Sequence, residues 1–169
     1  MKIVRFSKIA MTFMVASLAL MITLDNILDY GSNYAFVQHV LSMDSTFPHN
    51  ALMYRAIVNE TVWNLSYWLI IAGEGLTCLF FLMGSLALWR ARNNSGAAFN
   101  RAKQWIYVGV TIAMLIWFFG FMVVGGEYFL MWQSGKWNGQ EAAFRFYMSV
   151  LGVLLYINQT DTDILASQD

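Results

Sequence analysis

The stretch from Tyr67 to Trp89, YWLIIAGEGLTCLFFLMGSLALW, constrains this chain more than any other. It is long enough to cross a bilayer, which takes about 20 apolar residues. It carries a single acidic side chain, Glu74, between Gly73 and Gly75. A carboxylate in hydrocarbon costs about 3 kcal/mol on insertion scales, so Glu74 is expected to face protein or water. The stretch therefore predicts a membrane protein whose helices shelter an acid.

The composition agrees with a lipid environment. Of the 169 residues, 59% are hydrophobic and only 12% are charged, whereas soluble domains carry about 25% charged residues. The length suits a single membrane domain over residues 1–169. The net charge is zero, which gives no indication of a nucleic-acid partner. We expect the bilayer itself to be the main partner, with aromatic side chains at its interfaces.

The amino-terminal segment has two interpretations. Lys2, Arg5 and Lys8 precede an apolar run from Ile9 to Leu24, as in a secretory signal, with a possible cleavage site at residues 17–19. The apolar run continues past that site, however. We therefore interpret the segment as an uncleaved first transmembrane helix over residues 9–28.

Three further spans are expected, and together they predict an all-α bundle of four transmembrane helices. The polar stretch of residues 29–64 is expected to form an outer cap between the first two spans. Within the cap, Asn33–Met43 has apolar residues at helical spacing and Ala51–Val62 is a second candidate helix. The fourth span is short for a bilayer crossing. The later spans are expected at residues 65–89, 105–126 and 142–157.

Basic residues predict the orientation. The amino terminus and the loop after the second span carry basic residues and no acidic ones, whereas the other loops mix both signs. The positive-inside rule then places these two segments, and the carboxyl terminus, in the cytoplasm. The expected location is a bacterial inner membrane. The basic residues of the loop are Arg90, Arg92, Arg101 and Lys103.

The first loop carries a resemblance. Asp29-Tyr30, Asn33, the run FVQHVLSMDSTFP over residues 36–48, and Arg55-Ala56-Ile57 resemble a bacterial family of predicted small integral membrane proteins with unknown function. The similarity extends over most of the chain, and Tyr54 stands where a tryptophan is expected. The resemblance implies the four-span architecture and no activity, cofactor or substrate.

Glu74 is the first candidate site residue. About ten residues separate it from the outer end of its helix, which places it ~13 Å deep at 1.5 Å per residue. One interpretation is structural, with the carboxyl group hydrogen-bonded to another helix. The other is functional, as a proton relay, ion ligand or substrate contact. Thr77 and Cys78 follow on the same face; Thr77 could bond the helix backbone, and Cys78 is expected to pack.

Further polar side chains are expected near the outer helix ends. Asp25 and Asp29 share a face because they are four residues apart, and Arg145 is the natural counter-ion for the acids. These groups could form a salt-bridge network that locks the helices, or an outward-open polar cavity leading down to Glu74. The predicted network comprises Glu74, Asp25, Asn26, Asp29, Glu127 and Arg145.

Metal, cofactor and catalytic signals are weak. His39 and His49, the only histidines, lie in the outer loop, so they are weak candidates for a metal site and poor ones for haem within the helices. No cofactor is predicted. No P-loop, GxGxxG, HExxH or GxSxG motif is present, and an enzyme would depend on Asp29, His39 and Asp44. We therefore do not predict an enzyme.

Two functions remain open from the sequence. The first is an accessory or structural subunit of a larger inner-membrane complex, with a membrane-protein partner or a second copy of the chain. Its basis is small size, the lack of internal repeats and the lack of catalytic motifs. The second is a small proton- or ion-coupled carrier or channel that uses Glu74.

Overall fold

The computed structural model describes residues 2–163, and within that range the secondary structure is entirely helical. Six α-helices are joined by short connections and two single 3-10 turns, Met53–Arg55 and Met131–Gln133. After α5 the helix continues in π geometry over Met114–Tyr128. The α-helices are α1 (Lys2–Leu28), α2 (Tyr30–Ser42), α3 (Glu60–Ala91), α4 (Gly96–Arg101), α5 (Gln104–Ala113) and α6 (Gln140–Asn158).

Three helices are long and apolar enough to cross a membrane. They are α1, α3 and the continuous helix Gly96–Tyr128, which joins α4, α5 and the π-helical segment. The prediction of four such spans is therefore wrong by this measure. The expected fourth span corresponds to α6, whose first six residues, QEAAFR, include the charged Glu141 and Arg145. These polar residues lower the mean hydropathy of a helix that has only 19 residues.

Helix α6 nevertheless returns the chain alongside the other helices. Its start lies beside the π-helical segment, where Gln140 approaches Gly126. Its end lies beside the start of α1, where the hydroxyl groups of Ser7 and Tyr156 are 2.6 Å apart. Nineteen residues at 1.5 Å each span about 28 Å. The two ends of the described chain therefore meet on one side of the molecule.

The third apolar helix changes geometry midway. Over Met114–Tyr128 the backbone hydrogen bonds skip one residue more than in an α-helix, as in the bond from the Phe129 amide to the Val124 carbonyl at 3.0 Å. Such π-helical turns are wider than α-helical ones and are often found at functional sites. The hydropathy pattern predicted a regular span here and gave no sign of the widening.

The cap is only partly as predicted. The first short helix is present as α2 and packs against α3. The second predicted helix, over residues 51–62, is wrong: only one 3-10 turn forms there. The chain becomes extended at Ala56 (ψ 134°), and the Asn59 side chain accepts a hydrogen bond from the Val62 amide, which starts α3 at Glu60. Helix α3 therefore begins inside the stretch that was predicted to form the cap.

Packing joins α1, α3, α5 and α6 side by side. One apolar core fills the space between these helices, and a second lies beneath α2 against the upper part of α3. Large apolar side chains point outward along the helices, as in Phe13, Leu69, Phe119 and Leu155. A surface of this kind suits lipid rather than water.

The two ends of the molecule differ in character. We call the end with α2 and residues 129–139 the cap end, and the end with the start of α1, α4 and residues 159–163 the terminal end. At the terminal end Arg5, Lys8 and Lys103 are buried, although they belong to the two basic segments that the sequence placed in the cytoplasm. All three donate hydrogen bonds to residues 159–163, which thereby cover this end.

Candidate functional site

Glu74 lies in a contact between three helices. Its side chain is only 2% exposed. The Asn26 amide on α1 donates a hydrogen bond to Glu74 Oε2 at 2.6 Å, and the Trp117 side chain from the π-helical segment lines the same cavity as Glu74. The donor from α1 thus compensates part of the cost of burying the carboxylate. The expectation was that Glu74 faces protein or water, and its buried side chain faces protein.

Tyr67 supports this arrangement indirectly, through its contact with Asn26. Its hydroxyl group donates to the Asn26 backbone carbonyl at 2.8 Å and lies 3.2 Å from Asn26 Oδ1. Because the amide oxygen of Asn26 is engaged by Tyr67, its NH₂ group is oriented toward Glu74. Tyr67 therefore fixes the donor that holds the carboxylate.

A cavity of about 420 Å³ reaches Glu74 from the cap end. Asp25, Asn26 and Asn33 line it on the side of α1 and α2, and Lys136 and Asn138 line it from the 129–139 connection. Glu74 forms part of its lining although the carboxylate is nearly inaccessible. The buried acid therefore lies at the inner limit of a cap-end cavity whose lining includes several polar side chains.

Aromatic side chains form much of the remaining lining. They come from α2, α3, the π-helical segment and α6, and two of them, Trp117 and Phe146, pack with ring centroids 5.3 Å apart. Lys136 is exposed, and its ammonium group lies 4.6 Å from the Trp137 ring centroid. The cavity thus has a buried acid, Glu74, at depth, whereas its exposed charges are Asp25 and Lys136. Its aromatic lining residues are Phe36, Tyr67, Trp117, Phe121 and Phe146.

The predicted network is only partly assembled. Asn26 contacts Glu74, and Asp25 lines the cavity. Asp29 and Glu127 are exposed and lie outside the cavity lining. Arg145, expected as the counter-ion of the inner acids, is exposed and pairs with Glu141 one turn earlier on α6.

Several cavity residues were missed from the sequence. Tyr67 precedes Glu74 by seven residues, or two helical turns, so it lies on the same face and could have been identified. Thr77 was identified, and its hydroxyl group donates to the Gly73 carbonyl at 2.8 Å as expected. Trp117 and Asn138 gave no signal, because their proximity depends on how distant helices pack.

The two histidines have separate local roles. His39 Nδ1 lies 2.7 Å from Asp44 Oδ2, and its ring stacks on Trp137 with centroids 4.4 Å apart. His49 occupies a turn with φ 61°. Among residues 2–163, no group of three or more His, Cys, Asp or Glu side chains is placed to hold a metal ion.

Comparison with known proteins identifies the family and no function. No curated protein and no solved structure matches the chain. The model of a family described as "Predicted small integral membrane protein (DUF2165)" matches residues 4–160, which is nearly the whole chain. The resemblance of the first loop is thereby confirmed. The chain therefore belongs to this family of predicted small integral membrane proteins.

Proposed function

We propose that this protein is a small proton- or cation-coupled carrier in which Glu74 is the group that binds the coupling ion. The observation that carries the proposal is the cavity from the cap end to the Glu74 carboxylate. An acid inside an apolar helix is typical of a proton or ion pathway, and this cavity brings polar side chains, Asp25, Asn33 and Asn138, to the same space as Glu74. Among the two functions left open by the sequence, this geometry favours the carrier.

The hydrogen bonds around Glu74 support an exchangeable ion rather than a permanent salt bridge. The carboxylate is held by the side-chain amide of Asn26, an uncharged donor. No cation forms an ion pair with Glu74 within residues 2–163. A proton or small cation arriving through the cavity would therefore meet a carboxyl group that no cation of the described chain already neutralises.

Closure at the opposite end also supports a carrier. Below Glu74, the face of α3 is packed by buried residues including Phe81 and Leu88. At the terminal end, Asp161 bridges Lys8 and Lys103 at 2.7 and 2.8 Å. A cavity open at one end and closed at the other corresponds to one of the two states that alternating access requires.

Proton movement into sealed vesicles tests the proposal. The purified protein would be reconstituted with a pH-sensitive dye inside, and a pH step or potassium-diffusion potential applied. We expect Glu74→Gln to abolish the protein-dependent proton or cation flux. Glu127→Gln removes an exposed carboxylate outside the cavity and should leave the flux unchanged. Wild-type flux in Glu74→Gln vesicles would refute the carrier.

An accessory role has separate support at the cap end. Phe47 and Trp132 form an edge-to-face pair with centroids 5.7 Å apart, and both are exposed. Such a pair suits contact with a partner membrane protein or a second copy of the chain. Purification in a mild detergent tests this role. A partner lost on Trp132→Ala would support it, and a homogeneous monomer would count against it.

We further propose that the terminal end faces the cytoplasm of a bacterial cell. Exposed basic side chains, including Lys2, Arg90 and Arg101, are concentrated at that end, and cytoplasmic segments are enriched in Lys and Arg. The cavity would then open toward the outside.

A further inference from the structure

We infer that the cavity takes a small organic ammonium ion, bound with its positive nitrogen near Glu74 and its apolar part against the aromatic lining. This inference rests on the proposed carrier function and names its substrate class. It starts from two features of the same cavity: a buried carboxylate lies at its inner limit, and five aromatic residues line it.

The aromatic lining favours an organic cation over a neutral molecule. The faces of Trp, Tyr and Phe rings attract ammonium groups, and aromatic enclosures are used to bind quaternary ammonium ligands. Trp117 and Tyr67 lie at the depth of Glu74, since one neighbours its carboxylate and the other holds Asn26. A positive nitrogen at this depth would therefore lie beside a carboxyl group and aromatic rings, whose side chains are nearly fully buried.

The size of the cavity also favours an organic ion. A volume of about 420 Å³ lies within the range of small-molecule sites, about 300–1,000 Å³. Hard inorganic cations such as Ca²⁺ need about six to eight oxygen ligands. Near the carboxylate, Asn26 presents its NH₂ group, because its oxygen faces Tyr67. The groups at this depth thus suit a soft, weakly hydrated cation.

Charges along the cavity are consistent with this orientation. Asp25 and Glu74 are the two carboxylates of the lining, and Lys136 is its basic residue. Lys136 is exposed and lies against Trp137, so its charge is at the rim rather than near the carboxylate. The net negative lining would attract a cation.

Equilibrium dialysis with benzyltrimethylammonium tests the inference. This quaternary ion fits the volume and keeps its charge at every pH. The full chain in lipid nanodiscs should bind it, and its uncharged carbon analogue, neopentylbenzene, should bind at least ten-fold more weakly after subtraction of uptake by empty nanodiscs. Glu74→Gln should weaken binding of the cation at least ten-fold, whereas Glu127→Gln should not change it. Equal binding of the two compounds, or of wild type and Glu74→Gln, would overturn the inference.

A second pair of variants keeps the test valid if Glu74→Gln does not fold. Phe146→Leu removes a ring from the lining, and Phe144→Leu removes an exposed ring from the same helix outside it. We expect several-fold weaker binding for Phe146→Leu alone. Equal affinities for these two variants would overturn the aromatic contribution and with it the inference.

The outcomes separate this inference from the proposed function. Glu74-dependent proton flux without benzyltrimethylammonium binding would leave the carrier in place and refute the substrate class. Glu74-dependent binding of the cation without any flux would support the ligand and refute the carrier.

Discussion

Gly84 and Gly75 lie on the same helix but meet different surroundings. A Cβ atom added to Gly84 would come within 2.5 Å of Ile106 Cγ1 and 3.3 Å of the Ile106 amide nitrogen, and Ile106 is fully buried. A Cβ atom on Gly75 would meet only Thr23 Cγ2 at 3.6 Å. The small-residue pattern around Glu74 therefore contains both close helix contacts and positions that tolerate a methyl group.

Gly84→Ala is expected to destabilise the protein by about 1–3 kcal/mol, because neither Ile106 nor its backbone has space to move. Gly75→Ala is expected to be neutral or to stabilise by up to about 1 kcal/mol, since alanine favours helix over glycine. Thermal unfolding in detergent would measure both. Equal effects of the two substitutions would contradict the close approach of α3 and α5 at Gly84.

Tyr67 gives a second prediction at this scale. Tyr67→Phe removes the donor to the Asn26 carbonyl, so we expect a loss of about 1 kcal/mol of unfolding free energy. Released from Tyr67, Asn26 would hold Glu74 less firmly, so proton flux in vesicles should also change. Tyr54→Phe, at an exposed tyrosine of the cap, is the control. A Tyr67→Phe protein with wild-type stability and flux would show that this bond has no role.

At the scale of elements, residues 159–163 act as a strap across the terminal end. The Asp161 carboxylate accepts hydrogen bonds from Lys8 and Lys103, and the Gly96 amide donates to Asp163 at 2.6 Å. Gly96 has no space for a side chain, because a Cβ atom there would overlap the Asp161 carbonyl oxygen and lie 2.7 Å from the Thr162 carbonyl carbon. The strap is thus held by charge and by close backbone contact.

Acid is expected to release this strap. Burial acts to raise the pKa of Asp161, but the hydrogen bonds and charges of Lys103 and Lys8 together hold this pKa below its ordinary value of 3.8. A lowered pKa in the folded state means that the stabilisation is complete above pH 3.8 and is lost as pH falls through the lower, folded value. Hydrogen exchange of residues 159–163 at pH 5 and pH 3 would measure this loss. After correction for the intrinsic pH dependence of exchange, the protection factors should be lower at pH 3.

Two variants sharpen that measurement. Asp161→Asn should give low protection factors in the strap at both pH values, because the ion pairs are absent throughout. Gly96→Ala should speed exchange at both values without changing any charge, and Gly152→Ala, in open space on α6, is the matched control. High protection factors at both pH values in the Asp161→Asn protein would contradict the electrostatic role of Asp161.

The elements differ in how far the sequence predicts them. Long apolar runs located α1, α3 and the third span because hydrophobicity is a local property. The α4 helix was read as a loop because its capping residue, Ser95, which accepts from the Ala98 amide, lies within a run of Asn, Ser and Gly. The remaining features depend on tertiary contacts: the buried cations bind a strap that lies between 56 and 157 residues away in sequence.

At the scale of the whole molecule, the number of apolar helices and the position of α6 imply different numbers of membrane crossings. Three helices satisfy the criterion for spanning a membrane, and three crossings alone would leave the chain ends on opposite sides. The contact between Lys8 and Asp161 at 2.7 Å instead joins the two ends. The proposed topology therefore requires α6 to recross most of the apolar layer, shielded along one face by α1, α5 and the π-helical segment.

Cysteine accessibility tests this topology. The chain has one cysteine, so Cys78→Ala gives a background for single cysteines at exposed positions: Gly135→Cys at the cap end, and Lys2→Cys and Thr160→Cys at the terminal end. In intact cells an impermeant maleimide should label only Gly135→Cys, and after permeabilisation it should label all three. Labelling of Thr160→Cys but not Lys2→Cys in intact cells would mean that α6 does not return the chain. The reverse pattern, with Gly135→Cys protected, would keep the fold and invert the orientation, because the terminal end would then face outward despite its positive charge.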